Sequence, residues 1–165
     1  MRVIVWLVEG TWPACVDAVR THAREASEVT LLHVTEPGTA GLAHGAFAGL
    51  LGRAGSEPDP ERRLVELGGT SAAELLDAAG ARLGRPCTLL ERTGRVEREV
   101  VAAAEGAGLL IVARDGDRSR LGPHSLGRAA RFVVDHAPCP VLLVWPEGAP
   151  ELTTMPPPPP PPHRR

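Results

Sequence analysis

Two stretches of this chain, Val3–Val8 (VIVWLV) and Leu109–Ala113 (LLIVA), are apolar at every position over the length of a β-strand. A strand that buries both faces belongs in the middle of a parallel sheet, with helices covering it from both sides. Three more runs of strand length complete the set: Val29–Val34 (VTLLHV), Cys87–Glu91 (CTLLE) and Val141–Val144 (VLLV). Helical signals fall between them. Val16, Val19 and Ala23 recur at helical spacing over Pro13–Ala26, and Ser71-Ala72-Ala73-Glu74 is a capping box opening a helix to about Gly84. Val96–Ala104 reads as helix, and Ser125 as the cap of a last helix running through Ala137. Strands alternating with helices define an α/β domain with a parallel sheet.

A chain of 165 residues with 43% hydrophobic content suits one domain, placed at residues 1–147. Residues 36–69 are long for a connection and are expected to carry some helix, with His44 an exposed helix residue rather than a ligand. Residues 148–165 contain seven consecutive prolines, Pro156–Pro162, and are expected to form a disordered, proline-rich tail with polyproline II character.

Composition removes several functions. A net charge of −2 gives no support for binding to nucleic acid or to a membrane surface. No apolar run reaches the roughly 18 residues of a membrane span, and the N-terminus does not read as a signal peptide, so a cytoplasmic protein is expected. Cys15, Cys87 and Cys139 show neither disulfide nor zinc spacing and read as reduced thiols. The chain has no lysine, hence no P-loop or Schiff-base lysine. Nucleophile-elbow and zinc-protease motifs are missing too, and His33 and His136 read as structural. Asp115 and His124 are a weak candidate for an acid/base pair. No enzyme is expected, slow hydrolysis being left open without a water-activating group to assign.

The least ordinary stretch is VARDGDRSRLGPHSLGR, Val112–Arg128, a charged loop with glycines between the fourth strand and the last helix. Backbone N–H groups at a glycine turn and at a helix N-terminus favour anions, so this can be a phosphate cradle. It can equally be a solvated connection.

VIVWLVEGT, VTLLHV, GAGLLIV (Gly106–Val112) and above all GRAARFVVDHAPCPVLLV (Gly127–Val144) resemble the universal stress protein family, over about Arg2–Trp145 and weakly between Glu36 and Gly69. The resemblance implies a doubly wound, Rossmann-like, five-stranded parallel sheet of the adenine nucleotide alpha hydrolase-like kind, in the order 3-2-1-4-5. Strands one and four then flank the switch point, where ligands of such sheets bind. Family members that bind ATP carry Gly-x-x-Gly, nine residues, then Gly-Ser or Gly-Thr. Here the pattern is Ala113-Arg114-Asp115-Gly116, ten residues, then Gly127-Arg128.

Glu9 stands where the family has an aspartate facing the ribose, and Val34 matches a position whose backbone meets the adenine. The nucleotide-binding candidates implied by resemblance are therefore Glu9, Val34, Ala113, Gly116, Gly127 and Arg128. Ala113 costs little at negative φ, but about 1 kcal/mol or more in a left-handed turn. Arg128 either clamps phosphates or fills their space, paired with Asp115, Asp117 or Glu9. The implied function is a regulatory stress-response domain. Whether it binds ATP, with magnesium, through this degenerate site or is a non-nucleotide-binding interaction module stays open. Its edge strand, with Val141, Leu142, Leu143, Val144 and Trp145, is expected to form a homodimer.

Overall fold

The computed structural model describes residues 1–37 and 60–158, with residues 60–71 described as helix backbone. The chain runs β1 (Arg2–Trp6), α1 (Trp12–His22), β2 (Glu28–Thr35), α2 (Pro60–Leu83), β3 (Thr88–Thr93), α3 (Val96–Ala103), β4 (Leu109–Ala113), α4 (Arg128–His136) and β5 (Val141–Val144). The five strands form one sheet in the order β3-β2-β1-β4-β5, with every pairing parallel, as expected. Val5 of β1 lies opposite Leu31 of β2 and Ile111 of β4, and Ala113 closes the β4 register against Val144.

The two apolar faces of the central strands each have a cover. On one side Val3, Val5, Leu7, Leu31 and Ile111 pack with Cys15, Val16 and Val19 of α1 and Leu76 and Ala79 of α2. On the other, Ile4, Trp6, Leu32 and Leu110 pack with Val100 of α3 and Ala130 and Val133 of α4. Ile4, Leu31, Leu110 and Ile111 are fully buried, each worth about 1.5–3 kcal/mol relative to exposure. A bidentate ion pair joins the two helices of the first layer, with Arg82 Nε and Nη2 3.0 and 2.6 Å from the Asp17 carboxylate oxygens. The hydrogen bond from Arg82 holds that carboxyl below its ordinary range.

Three boundaries differ from the expectation. Helix α2 begins at Pro60, so Ser71 lies inside it and the Ser-x-x-Glu spacing does not mark its start. Proline is well suited to a first helical position, where its missing N–H costs nothing. Helix α1 stops at His22, where the Ala23 N–H donates to the Val19 carbonyl, short of Ala26. Helix α4 begins at Arg128 with Gly127 as its cap residue, while Ser125 ends a separate 3-10 turn, Pro123–Ser125. The possible helix in residues 38–53 and His44 lie outside the described residues.

The segment after β5 also differs from an extension without packing. Leu152–Thr154 form a 3-10 turn, and the Thr154 hydroxyl oxygen accepts a hydrogen bond from the Leu121 N–H at 3.1 Å. Residues 159–165, which include the end of the proline run, lie outside the described residues. Among the described residues, no helix is long and apolar enough to cross a membrane.

Cys15 sits fully buried under the sheet, and burial pushes its thiol up to about 12, against a smaller opposing pull from the Ala113 backbone. In the unfolded chain the thiol ionises near 9. The resulting stabilisation is complete below about pH 9 and is lost as pH rises through 12, because the unfolded state releases the proton first. Urea unfolding at pH 8 and pH 11 should show the native chain losing of order 2 kcal/mol more than Cys15→Ala over that interval.

Candidate anion site at the switch point

Beyond β1 the chain passes through Val8 to an exposed turn at Glu9 and Gly10, where Gly10 takes a φ of +80°. The Val8 carbonyl accepts from the N–H groups of both Thr11 and Trp12, at 3.1 and 3.0 Å, which starts α1. Glu9 is thus a solvent-facing carboxylate at the strand end. Val34 is buried on β2, its side chain part of the layer under α3 and α4.

Across the switch point β4 ends at Ala113, which is buried and paired as strand with Val144. An extended residue carries a Cβ without strain, so the loss of the family's first glycine costs nothing here. The Arg114 N–H continues the pairing to the Val144 carbonyl at 2.9 Å.

Next the loop folds back against itself. The Gly116 N–H donates to the Ser125 carbonyl at 2.9 Å, and the Asp117 N–H to the His124 carbonyl at 2.8 Å. The two limbs are so close that a Cβ on Gly116 would stand 2.3 Å from the His124 carbonyl oxygen. Glycine is required here for backbone approach. Both of these loop amides are committed to carbonyls of the opposite limb.

The decisive contact is one residue earlier. The Gly127 N–H, at the N-terminus of α4, donates to Asp115 Oδ1 at 2.7 Å. A carboxylate at a helix N-terminus satisfies an otherwise unpaired donor and faces the positive end of the helix dipole. Asp115 therefore stands in the position where an anionic ligand would be received. A Cβ on Gly127 would fall 2.8 Å from the same oxygen, so a side chain there would push the carboxylate off its amide.

Arg114 and the acids around it hold the rest of the loop. Its guanidinium lies over the Trp145 ring, 4.6 Å from the ring centroid, and donates to the Ser125 hydroxyl. That hydroxyl in turn donates to the Gly122 carbonyl at 2.7 Å. The Arg114 Nε is buried with no hydrogen-bond partner among the described residues, a shortfall costing about 1–3 kcal/mol. Asp117 is tied up locally, accepting from the Ser119 hydroxyl at 2.6 Å and from Arg120 Nε at 3.1 Å. The Ser119 hydroxyl is the largest cause holding its carboxyl below the usual range.

Arg128 pairs with none of the three expected acids, Asp115, Asp117 or Glu9. It is exposed on the first turn of α4. Glu97 is held low first by its own backbone N–H, with Arg95 and then Arg128 adding to the effect. Arg128 lines an open cleft of about 930 Å³ between α3 and α4, with Arg95, Arg98 and Arg131. Its lining does not include Glu9, Val34, Ala113, Gly116 or Gly127. The two ends of β1 and β4 come together as expected, but the glycine loop and the cleft, where Glu36, Glu97 and Asp135 stand among the arginines, are separate features.

Among the described residues, no three His, Cys, Asp or Glu side chains gather as a metal site requires. His33 Nδ1 lies 3.1 Å from the Leu7 carbonyl, and His136 stacks on Phe132 while its Nδ1 lies 2.8 Å from that residue's carbonyl. The sequence reading missed the capping role of Asp115 and the roles of Ser125, Trp145 and Thr154. An aspartate just after a strand and a glycine at the next helix start were signals for the first of these. Nothing local marks the others.

The sequence profile of the universal stress protein family matches residues 8–144, and the chain belongs to that family. No curated protein matches it significantly. Among solved structures it is similar to the universal stress protein UspA from Lactobacillus plantarum, at 18% identity and TM-score 0.56, covering 87% of this chain and 97% of that one. It is also similar to a universal stress protein in complex with cAMP, at 18% identity and TM-score 0.54, covering 89% of this chain and 98% of that one. A universal stress protein from Archaeoglobus fulgidus aligns at 16% identity and TM-score 0.51, covering 87% and 97% of the two chains. Likeness at this level of identity establishes the fold.

Two substitutions read the closed loop directly. Asp115→Ala leaves the Gly127 N–H uncapped and should lower stability by about 0.5–2 kcal/mol in urea unfolding. Gly116→Ala forces a Cβ onto the His124 carbonyl and should separate the two limbs, seen as faster amide exchange at Asp117.

Proposed function

We propose that this chain is a regulatory universal stress protein domain that works without a bound nucleotide, its phosphate-receiving helix end closed by its own Asp115. The observation that supports this reading is the 2.7 Å hydrogen bond from the Gly127 N–H to the Asp115 carboxylate. A phosphate approaching that amide meets a negative charge and must first displace it. The loop amides of Gly116 and Asp117 are satisfied by carbonyls, so displacement would also have to reopen the loop. No catalytic step belongs to this reading.

A second reading, adenine nucleotide binding through the degenerate site, draws support from the fold likeness to the cAMP complex. It requires Asp115 to swing off the helix end. In this reading Glu9, in the turn beyond β1, would meet the ribose, and magnesium would accompany ATP.

Assembly is the third part of the proposal. β5 pairs with β4 along one edge, and its four residues are half-buried. Its other edge carries no strand among the described residues, and an apolar open edge favours pairing with a second copy. Light scattering at micromolar concentration should give a homodimer. A monomer there contradicts this part.

Thermal unfolding with millimolar ATP and magnesium separates the first two readings. A ligand at 100 times its Kd stabilises by about 2.7 kcal/mol. The native chain should show no shift, and neither should Arg128→Ser, since Arg128 does not occupy the helix end. Asp115→Ala should gain an ATP-dependent shift. A clear shift in the native chain overturns the closed-site reading in favour of the second.

A further inference from the structure

The family match ends at Val144, yet the next residues return to the loop that closes the site. Four contacts carry them there. The Trp145 ring lies under the Arg114 guanidinium at 4.6 Å. Glu147 pairs with Arg118 at 3.3 Å. The Thr154 hydroxyl oxygen accepts from the Leu121 N–H at 3.1 Å, held in place by its own donation to the Glu151 carbonyl at 2.6 Å. Pro156 packs over Gly122, its ring carbons 3.4 Å from where a Cβ on that glycine would stand. Gly122 takes a φ of +123°, so this close packing falls on a residue already favoured as glycine.

These contacts bear on the limb of the loop that supplies the closing carbonyls. Gly122 receives the Ser125 hydroxyl and the Ser125 N–H on its carbonyl, at 2.7 and 3.1 Å. Ser125 and His124 in turn receive the amides of Gly116 and Asp117. Fixing Leu121 and Gly122 from outside therefore fixes the carbonyls that hold the glycine turn, and with it the placement of Asp115.

We infer that the segment Trp145–Pro156 is a strap that keeps the β4–α4 loop closed, and that its release is what frees the Gly127 amide. This rests on the reading of the site as self-occupied. The strap is built from individually weak contacts, two of them exposed or half-exposed, which suits a reversible device rather than a permanent support. Pro156 is also the first of the seven prolines, so the strap and the proline run share a residue.

The test uses the full-length chain carrying Thr154→Val and Glu147→Gln together, compared with native protein by residue-resolved amide exchange. Exchange at Leu121 should rise by about five- to tenfold, as expected for one lost hydrogen bond. The same direction of change should extend to Gly116, Asp117 and Gly127, while β1 and β4 stay as protected as in the native chain. A change confined to Leu121 overturns the strap, since the loop then stays closed without it. Calorimetric titration of both proteins with inorganic tripolyphosphate keeps the two claims apart. Uptake by the variant and not by native protein supports both. Tight uptake by native protein overturns the self-occupied site itself, whatever the exchange data say of the strap.

Discussion

A single carboxylate placed on a helix end sets the character of this molecule. The N-terminus of α4 is the point where the fold concentrates positive potential, because its first amides lack intrahelical partners and the helix dipole adds to them. Asp115 reaches it across a loop and accepts from Gly127 at 2.7 Å. The contact makes the helix end stable without a ligand. It also changes the local charge from one that attracts anions to one that opposes them.

Everything around that contact is arranged to make it possible. Ala113 remains strand, paired with Val144 at the end of β4. Gly116 lets the two limbs touch, and Gly127 leaves room for the carboxylate where any side chain would collide. Arg114 spans from Trp145 to Ser125 and leaves one buried N–H unpaired, so the closed loop is held by several contacts but is not fully satisfied. A loop with such a shortfall is a candidate for opening, and the residues after β5 lie where they can decide when.

The fold was readable because its signals are repeated. Val3–Val8 and Leu109–Ala113 are apolar on both faces, and two helical layers are the physical answer to that pattern. Boundaries were less legible. Ser71-Ala72-Ala73-Glu74 has the spacing of a cap but lies within α2, because backbone helix continues upstream to Pro60. The charged loop between β4 and α4 was legible in the sequence, and the side chain that meets the helix end was not. Arg128 stood out in the sequence as a long cation beside a glycine, whereas in the structure it lines the cleft between α3 and α4. Asp115, twelve residues from Gly127 in the chain, is the residue that meets the helix. The tail was read as free from its composition, and of its described residues Thr154 and Pro156 lie against the loop.

The amide resonance of Gly127 reports most directly on the central claim. In a nitrogen–proton correlation spectrum of the native chain, millimolar ATP should leave this resonance where it is, since Asp115 already occupies the amide. In Asp115→Ala the same addition should move it. Movement of the Gly127 resonance in the native chain, to the same limiting position as in the variant, would contradict the account.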